Sequence, residues 1–423
     1  MTTVLQTRPH TRTLQESRRR VALRVGVDAT QIVFGVSGGV EVYFRTLVRA
    51  LQQSPEATTP LVIARDSQAA ALRRDLPGVR IRELPTVYDS LGVRAKRWMS
   101  RKLIGGPATP PLPSVPFRIV EEELELDLLH CPVQMFADGT FESPGVLNLH
   151  DLQHLHFPEN FSTAELTLRH QRYDESAQRA AAIVASSDFT RGDILAHLDV
   201  SDAKVHTIPV ACDPEIIDGA HRFSTETARE RYRLPEMFAF YPAAFWPHKN
   251  HARLFEALAI VRSRSLRHDL KLVCAGCRKH SGRDAVEQAL DRFDVRDHVL
   301  FLDYIPTAHL GGVYKASQFC VMSSLFESSS YPVIEAQTLG VAAMCSAITS
   351  LPELMDEGAG LLFDPHSPES IAEKMLRWLD DPTDRREHAE RGRTRAAREH
   401  SLQTYASRMR DLYASIIGRD ADV

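Results

Sequence analysis

The chain lacks several things, and each absence narrows what it can be. No apolar run approaches the ~20 residues a helix needs to cross a bilayer, so no membrane span is expected. Residues 1–20 are polar and close on Arg18, Arg19 and Arg20. They hold no apolar core of about 7–15 residues, so they read as a loose basic tail rather than a secretory signal. Cysteine is scarce: six among 423 residues, unevenly spaced at Cys131, Cys212, Cys274, Cys277, Cys320 and Cys345. That suits a reducing compartment better than a disulfide framework. A dominant charge is missing too, since 55 acids against 51 Lys and Arg leave a net charge of -4. So mild a bias does not point to nucleic acid as a partner. No internal sequence repeat is visible. The expectation is a cytoplasmic protein of ordinary globular composition, 43% hydrophobic and 25% charged.

The remaining text is regular. From residue 21, short β-branched runs alternate with segments of helical period. Strands are expected at 21–27, 61–64, 126–130, 146–149 and 183–186. A helix carries Val40, Phe44, Leu47 and Leu51 on one face, and another spans 163–179. After residue 230 a second series begins, with strands at 238–241, 271–275, 299–301, 319–322 and 341–345. Ser367-Pro368 then opens a helix, with Ser as cap and Pro at the first position. A single Arg/Glu/Ala-rich helix is expected over about 384–418. The reading is α/β: two Rossmann-like, doubly wound parallel sheets facing a cleft, with ligands at the carboxyl ends of the strands. Residues 1–20 form the tail, 21–220 one domain and 221–395 a second. Residues 396–423 form a helix that returns toward the first domain. Residues 94–102 hold five basic side chains among Val93, Trp98 and Met99. They read as a membrane- or acceptor-facing basic surface or as a solvated helix face.

Chemistry concentrates at the turns. Gly38-Gly39 sits between the first strand and the first helix, where backbone can approach a ligand and helix amides meet anionic oxygen. His150-Asp151 ends a strand, where it can orient a hydroxyl or share a proton. His154 and His156 follow, but Pro158 argues against the helix that would make His150 and His154 a zinc pair. Cys274 and Cys277 lack a second pair, and Cys274 lies inside an apolar strand. Lys249 stands just before a helix start, suited to neutralising a diphosphate. In SLFESSSYPVIE, over 324–335, a strand leads through a loop into a helix opened by Pro332. Glu327 lies in the loop and Glu335 on the first helical turn, so both carboxylates are expected to face the cleft around the helix start.

In this order, Gly38-Gly39, His150-Asp151, Ala185-Ser186-Ser187, Pro247-His248-Lys249-Asn250 and the Glu327/Glu335 pair resemble glycosyltransferase family four, the retaining GT-B enzymes. Ser350-Leu351-Pro352-Glu353 and residues 360–365 fit the same pattern, and the resemblance runs over about 24–381. It implies a retaining transferase that moves a hexose from a nucleotide-sugar donor to a hydroxyl of a glycan, lipid-linked or small-molecule acceptor. It also implies acceptor binding by the first domain, donor binding by the second, and no metal or other cofactor. Catalytic roles fall to His150, Asp151 and Glu327. Donor contacts fall to Gly38, Gly39, Lys249, Ser329, Ser330, Tyr331 and Glu335. Peripheral contact with the inner face of the membrane would run through 94–102. Two departures stand out. Ala244 occupies the place of a usual Arg, and Ser328-Ser329-Ser330 replaces a loop that commonly ends in Gly. A non-catalytic nucleotide- or sugar-binding relative is therefore the alternative.

Overall fold

Apolar runs bounded by turn residues become strands, and the periodic segments between them become helices. The computed structural model describes residues 22–35, 38–53, 57–85, 117–137, 139–264, 269–278 and 282–418. The tail, Ser37, the basic segment 94–102 and the proline-rich stretch after it lie outside these residues. The first sheet has seven strands: β1 (Leu23–Asp28), β2 (Thr58–Arg65), β3 (Arg80–Leu84), β4 (Leu128–Cys131), β5 (Gly145–Asn148), β6 (Ala182–Ala185) and β7 (Val205–Thr207). Their order is β3-β2-β1-β4-β5-β6-β7. The second sheet has six: β8 (Phe238–Pro242), β9 (Lys271–Ala275), β10 (Val299–Leu302), β11 (Phe319–Met322), β12 (Ala343–Ser346) and β13 (Leu361–Phe363). Their order, β10-β9-β8-β11-β12-β13, is the same pattern. Every pairing is parallel. In each sheet the winding reverses beside the first strand, and crevices open there at the carboxyl ends. These are the two doubly wound sheets expected.

Strands β4, β5, β6, β11 and β12 are buried along their whole length. Parallel strands covered on both faces read as continuous apolar runs, which is why the sequence marks them. The three strands absent from that reading lie at sheet edges. β3 mixes Arg80, Arg82 and Glu83 with apolar residues, while β7 and β13 have three residues each. Edge strands tend to be short or polar because one side has no neighbour.

Two further expectations are corrected. The tail is two helices, Pro382–Glu399 and Leu402–Ile416, rather than one. The break falls at His400, whose Nδ1 lies 2.8 Å from the Val210 carbonyl, and Ser401 caps the second helix. That helix buries Tyr405, Met409, Leu412 and Tyr413 and packs on the helix Gly39–Gln52 of the first domain. The boundary at 220/221 also moves. Helix Pro214–Arg222 packs on Thr307–Ala316 of the second domain so closely that a Cβ on Gly219 would lie 2.6 Å from the Ala308 oxygen. The chain therefore crosses between domains at 208–213. Among the described residues no helix is long and apolar enough to cross a membrane.

Candidate functional site

β8 and β11 are neighbours at the winding reversal of the second sheet, so the loops leaving them meet. After β8 the chain makes a 3-10 turn, Pro247–Lys249, and Asn250 takes a left-handed conformation (φ 60°) before helix His251–Arg264. Asn tolerates that conformation. Its side-chain amide donates to the carbonyls of Ser323 (3.0 Å) and Pro365 (2.9 Å), tying the loops together. Lys249 Nζ then lies 2.6 Å from Glu327 Oε1, with the two side chains 18% and 11% exposed. Ser324 Oγ donates to the same oxygen at 2.6 Å. The backbone N–H of Glu327 donates to Thr349 Oγ1, and its carbonyl accepts from Ser350 Oγ. Glu327 is thus fixed at both main chain and carboxylate.

Helix Tyr331–Thr338 starts beyond this loop with Pro332 as its second residue. Glu335 lies one turn in rather than on the first turn, and it is turned inward. It is 8% exposed, and its Oε2 accepts from the Tyr314 hydroxyl at 2.7 Å. Burial, opposed by that hydrogen bond and aided by nearby Asp213, pushes its carboxyl up to about 7. Ser329 is half-buried in the loop. Ser330 Oγ and the Tyr331 hydroxyl are buried with no hydrogen-bond partner among the described residues.

In the first domain Gly38 has φ 53° and ψ -123°, a conformation L side chains avoid, and helix Gly39–Gln52 follows at once. A Cβ on Gly39 would lie 3.9 Å from the Tyr331 ring, so Gly39 faces the start of helix Tyr331–Thr338 across the cleft. His150 leaves β5 with Nε2 2.9 Å from the Pro132 carbonyl and its ring edge-on to Tyr43 at 4.9 Å. Burial lowers its pKa. The ring is therefore neutral, with the proton on Nε2 and Nδ1 an acceptor. Asp151, beside it, is hydrogen-bonded within the turn. Asp151 Oδ1 accepts from the Gln153 amide at 3.0 Å and Oδ2 from Gln134 at 3.4 Å, shaping the turn. A helical turn does form at Gln153–His156 despite Pro158. His154 there packs on His170 and Tyr173, and His156 meets Asp193 at 2.9 Å. Among the described residues no group of three His, Cys, Asp or Glu could hold a metal.

Comparison with known proteins fits this geometry. Residues 37–216 match the family model Glycosyltransferase Family 4, and 224–395 match Glycosyl transferases group 1. The chain belongs to the group 1 glycosyltransferases. It is similar to the O-antigen chain mannosyltransferase B of Escherichia coli, 26% identical over 251 residues, which cover 59% of this chain and 65% of that protein. It is also similar to the D-inositol 3-phosphate glycosyltransferase of Corynebacterium glutamicum, 24% identical over 270 residues, 62% of this chain and 64% of that one. Each match thus spans just under two thirds of the relative's length. The fold is GT-B, like that of Anabaena HepE in complex with UDP-glucose (TM-score 0.66, 16% identity, 93% of this chain and 100% of that one).

In this group 1 glycosyltransferase the Glu327 loop is held from the opposite domain, by contacts that the sequence motifs do not reveal. Phe326, 4% exposed, packs among His156, Phe157 and Phe189 of the first domain, with ring centroids 5.2–6.0 Å apart. The Ser328 carbonyl receives the hydroxyls of Ser187 (2.8 Å), Ser186 (3.0 Å) and Thr190 (3.4 Å). Glu353 accepts the first amides of helix Asp188–His197, from Asp188 at 3.0 Å and Phe189 at 2.8 Å. The only sequence signal for these contacts is the polar Ser-Ser before that helix and Glu353 after a Ser-Leu-Pro turn. Arg278, a candidate substitute for the missing Arg at 244, instead bonds Asp303 at 2.9 Å.

Proposed function

We propose that the chain moves a hexose from a nucleotide-sugar donor to a hydroxyl of a glycan, lipid-linked or small-molecule acceptor, with retention of anomeric configuration. The observation that supports this best is the Lys249–Glu327 pair at the reversal of the second sheet, flanked by two helix starts. Helix N-termini attract phosphate oxygens. On donor binding Lys249 exchanges Glu327 for the diphosphate, each charge-assisted bond contributing roughly 1.5–3 kcal/mol, and Glu327 turns to the sugar hydroxyls. Glu335 takes the ribose diol. Gly38 and Gly39 admit the phosphates, with Ser329, Ser330 and Tyr331 around them. His150 Nδ1 accepts from a donor-sugar hydroxyl, and Asp151 keeps the turn beside it in shape. The nucleotide leaves through an oxocarbenium-like state, and the leaving phosphate deprotonates the acceptor hydroxyl arriving on the same face. Lys249 and the helix amides lower the barrier most, by stabilising the charge that builds on the leaving group. No metal takes part, the first domain binds the acceptor, and the second binds the donor. The names of the relatives support a hexose such as mannose and acceptors such as O-antigen chains or inositol phosphates. The UDP-glucose complex of HepE supports a nucleotide sugar in the cleft.

Thermal melts with UDP, GDP, ADP and dTDP, then with their sugar conjugates, test the donor site. A ligand at 100 times its Kd stabilises by about 2.7 kcal/mol. Sugar release and transfer, assayed with EDTA present, should then be lost in Lys249→Ala and Glu327→Ala while circular dichroism stays native. Full turnover in both variants would overturn the site, and turnover only after metal addition would overturn the metal-free mechanism. The second reading, a binding protein without transfer, is favoured by Ala244 and by Arg278 being engaged elsewhere. It predicts a nucleotide shift with no release of nucleotide from any sugar conjugate.

A further inference from the structure

His150 is held by the Pro132 carbonyl and by the ring of Tyr43, nearly perpendicular to its own. Tyr43 is 2% exposed, and its hydroxyl accepts from the Tyr405 hydroxyl at 2.7 Å, across 362 residues of sequence. Tyr405 lies on helix Leu402–Ile416, the element that returns from the second domain. Eight residues on, and so on the same helical face, Tyr413 lies 2.5 Å from Nδ1 of His130, whose Nε2 lies 2.5 Å from Asn148 Oδ1. An amide oxygen only accepts, so Nε2 of His130 carries the proton, Nδ1 accepts, and Tyr413 donates. Asn148 also reaches the Tyr43 hydroxyl. It ends β5, two residues before His150. One helix face thus holds both the ring packed on His150 and the strand end that carries it. None of these groups reaches the cleft, and no core-packing demand calls for hydroxyls there.

We propose that Tyr405 and Tyr413 are positioning residues for His150, acting through Tyr43 and through His130–Asn148. The helix that returns from the donor-binding domain therefore sets the histidine's orientation. This rests on the reading of His150 as a group that meets the donor sugar. The Tyr405 hydroxyl constrains the Tyr43 ring, and the Tyr43 ring limits rotation of His150, leaving Nδ1 directed one way. Losing that constraint widens the range of ring orientations without emptying any volume, because Tyr405→Phe keeps the ring.

The full-length protein, labelled at histidine Cε1, tests this by NMR, with the His150 signal assigned from His150→Gln. Tyr405→Phe should shift or broaden the His150 signal and lower kcat by about tenfold, a modest case of the loss expected from misplacing a reacting group. The KM for the donor should stay within about twofold, since binding groups are untouched. Tyr43→Phe should do the same, and the double variant should be no worse than Tyr43→Phe alone. Tyr232→Phe removes a hydroxyl bonded to His309 in the second domain and should leave the His150 signal unchanged. An unmoved His150 signal in Tyr405→Phe overturns the proposal, as does a kcat equal to the parent's when His150→Gln itself has lost turnover. Full turnover in His150→Gln would instead overturn the role of His150, and the NMR result would still decide the anchoring.

Discussion

The carboxyl group of Glu335 is buried, and its charge state follows from that. Its folded-state pKa of about 7 compares with an ordinary value of 4.5. The folded protein therefore holds a proton that the unfolded chain gives up. Stability from this source is complete below about 4.5 and is lost as pH rises to about 7, a loss of roughly 3 kcal/mol. Glu335→Gln should remove it: the variant's melting temperature should exceed the parent's at pH 8 and converge with it near pH 4.5. The same substitution should weaken nucleotide binding, because the ribose diol loses an anionic acceptor. Melts across this pH range, with and without nucleotide, check both halves, and a variant less stable than the parent at pH 8 would contradict the first. The sequence shows that Glu335 follows Glu327 by eight residues on a helix. It does not show Tyr314, which arrives from a different helix and turns the carboxyl inward. The positions of Lys249 and Glu327 were legible because each lies between a strand end and a helix start. The partners of Asp151 were not, since Gln134 and Gln153 meet it only in the folded turn.

Helix Asp188–His197 illustrates what can be read of an element and what cannot. Its start is local, with Ser187 Oγ accepting from the Thr190 amide. Helix Thr163–Arg179 starts in the same local way, with Ser162 and Glu165 capping each other, and the sequence places both its ends. The remaining amides of Asp188 and Phe189 are served by Glu353 from another domain, which no local pattern reveals. Without Glu353 those amides must turn to water, and a negative charge at the helix start is lost. Glu353→Ala should destabilise the joined domains by about 1 kcal/mol. Hydrogen exchange at Asp188 and Phe189 should quicken while that at the end of the helix stays unchanged. Equal protection in parent and variant would show that the cap carries no weight. The single tail helix expected from sequence fails for a similar reason. His400 ends it by bonding a carbonyl 190 residues earlier.

At the scale of the molecule, the two sheets were legible because strands and helices alternate twice with a break between. How the halves meet was not, since Phe326 and its aromatic neighbours are distant in sequence. Phe326→Ala removes the one large apolar side chain that the Glu327 loop places in the first domain. The variant should scatter X-rays with a larger radius of gyration than the parent, and a saturating nucleotide sugar should narrow the gap. An unchanged radius would mean that other contacts alone hold the cleft shut. The chain passes between the halves twice, at 208–213 and again at 400–401. The two passages are stitched together, Cys212 N to His400 O at 3.0 Å and His400 Nδ1 to Val210 O at 2.8 Å. Two threads sewn at one seam act like the spine of a book. Joined at two points along one line, the halves should hinge about that line more readily than twist across it.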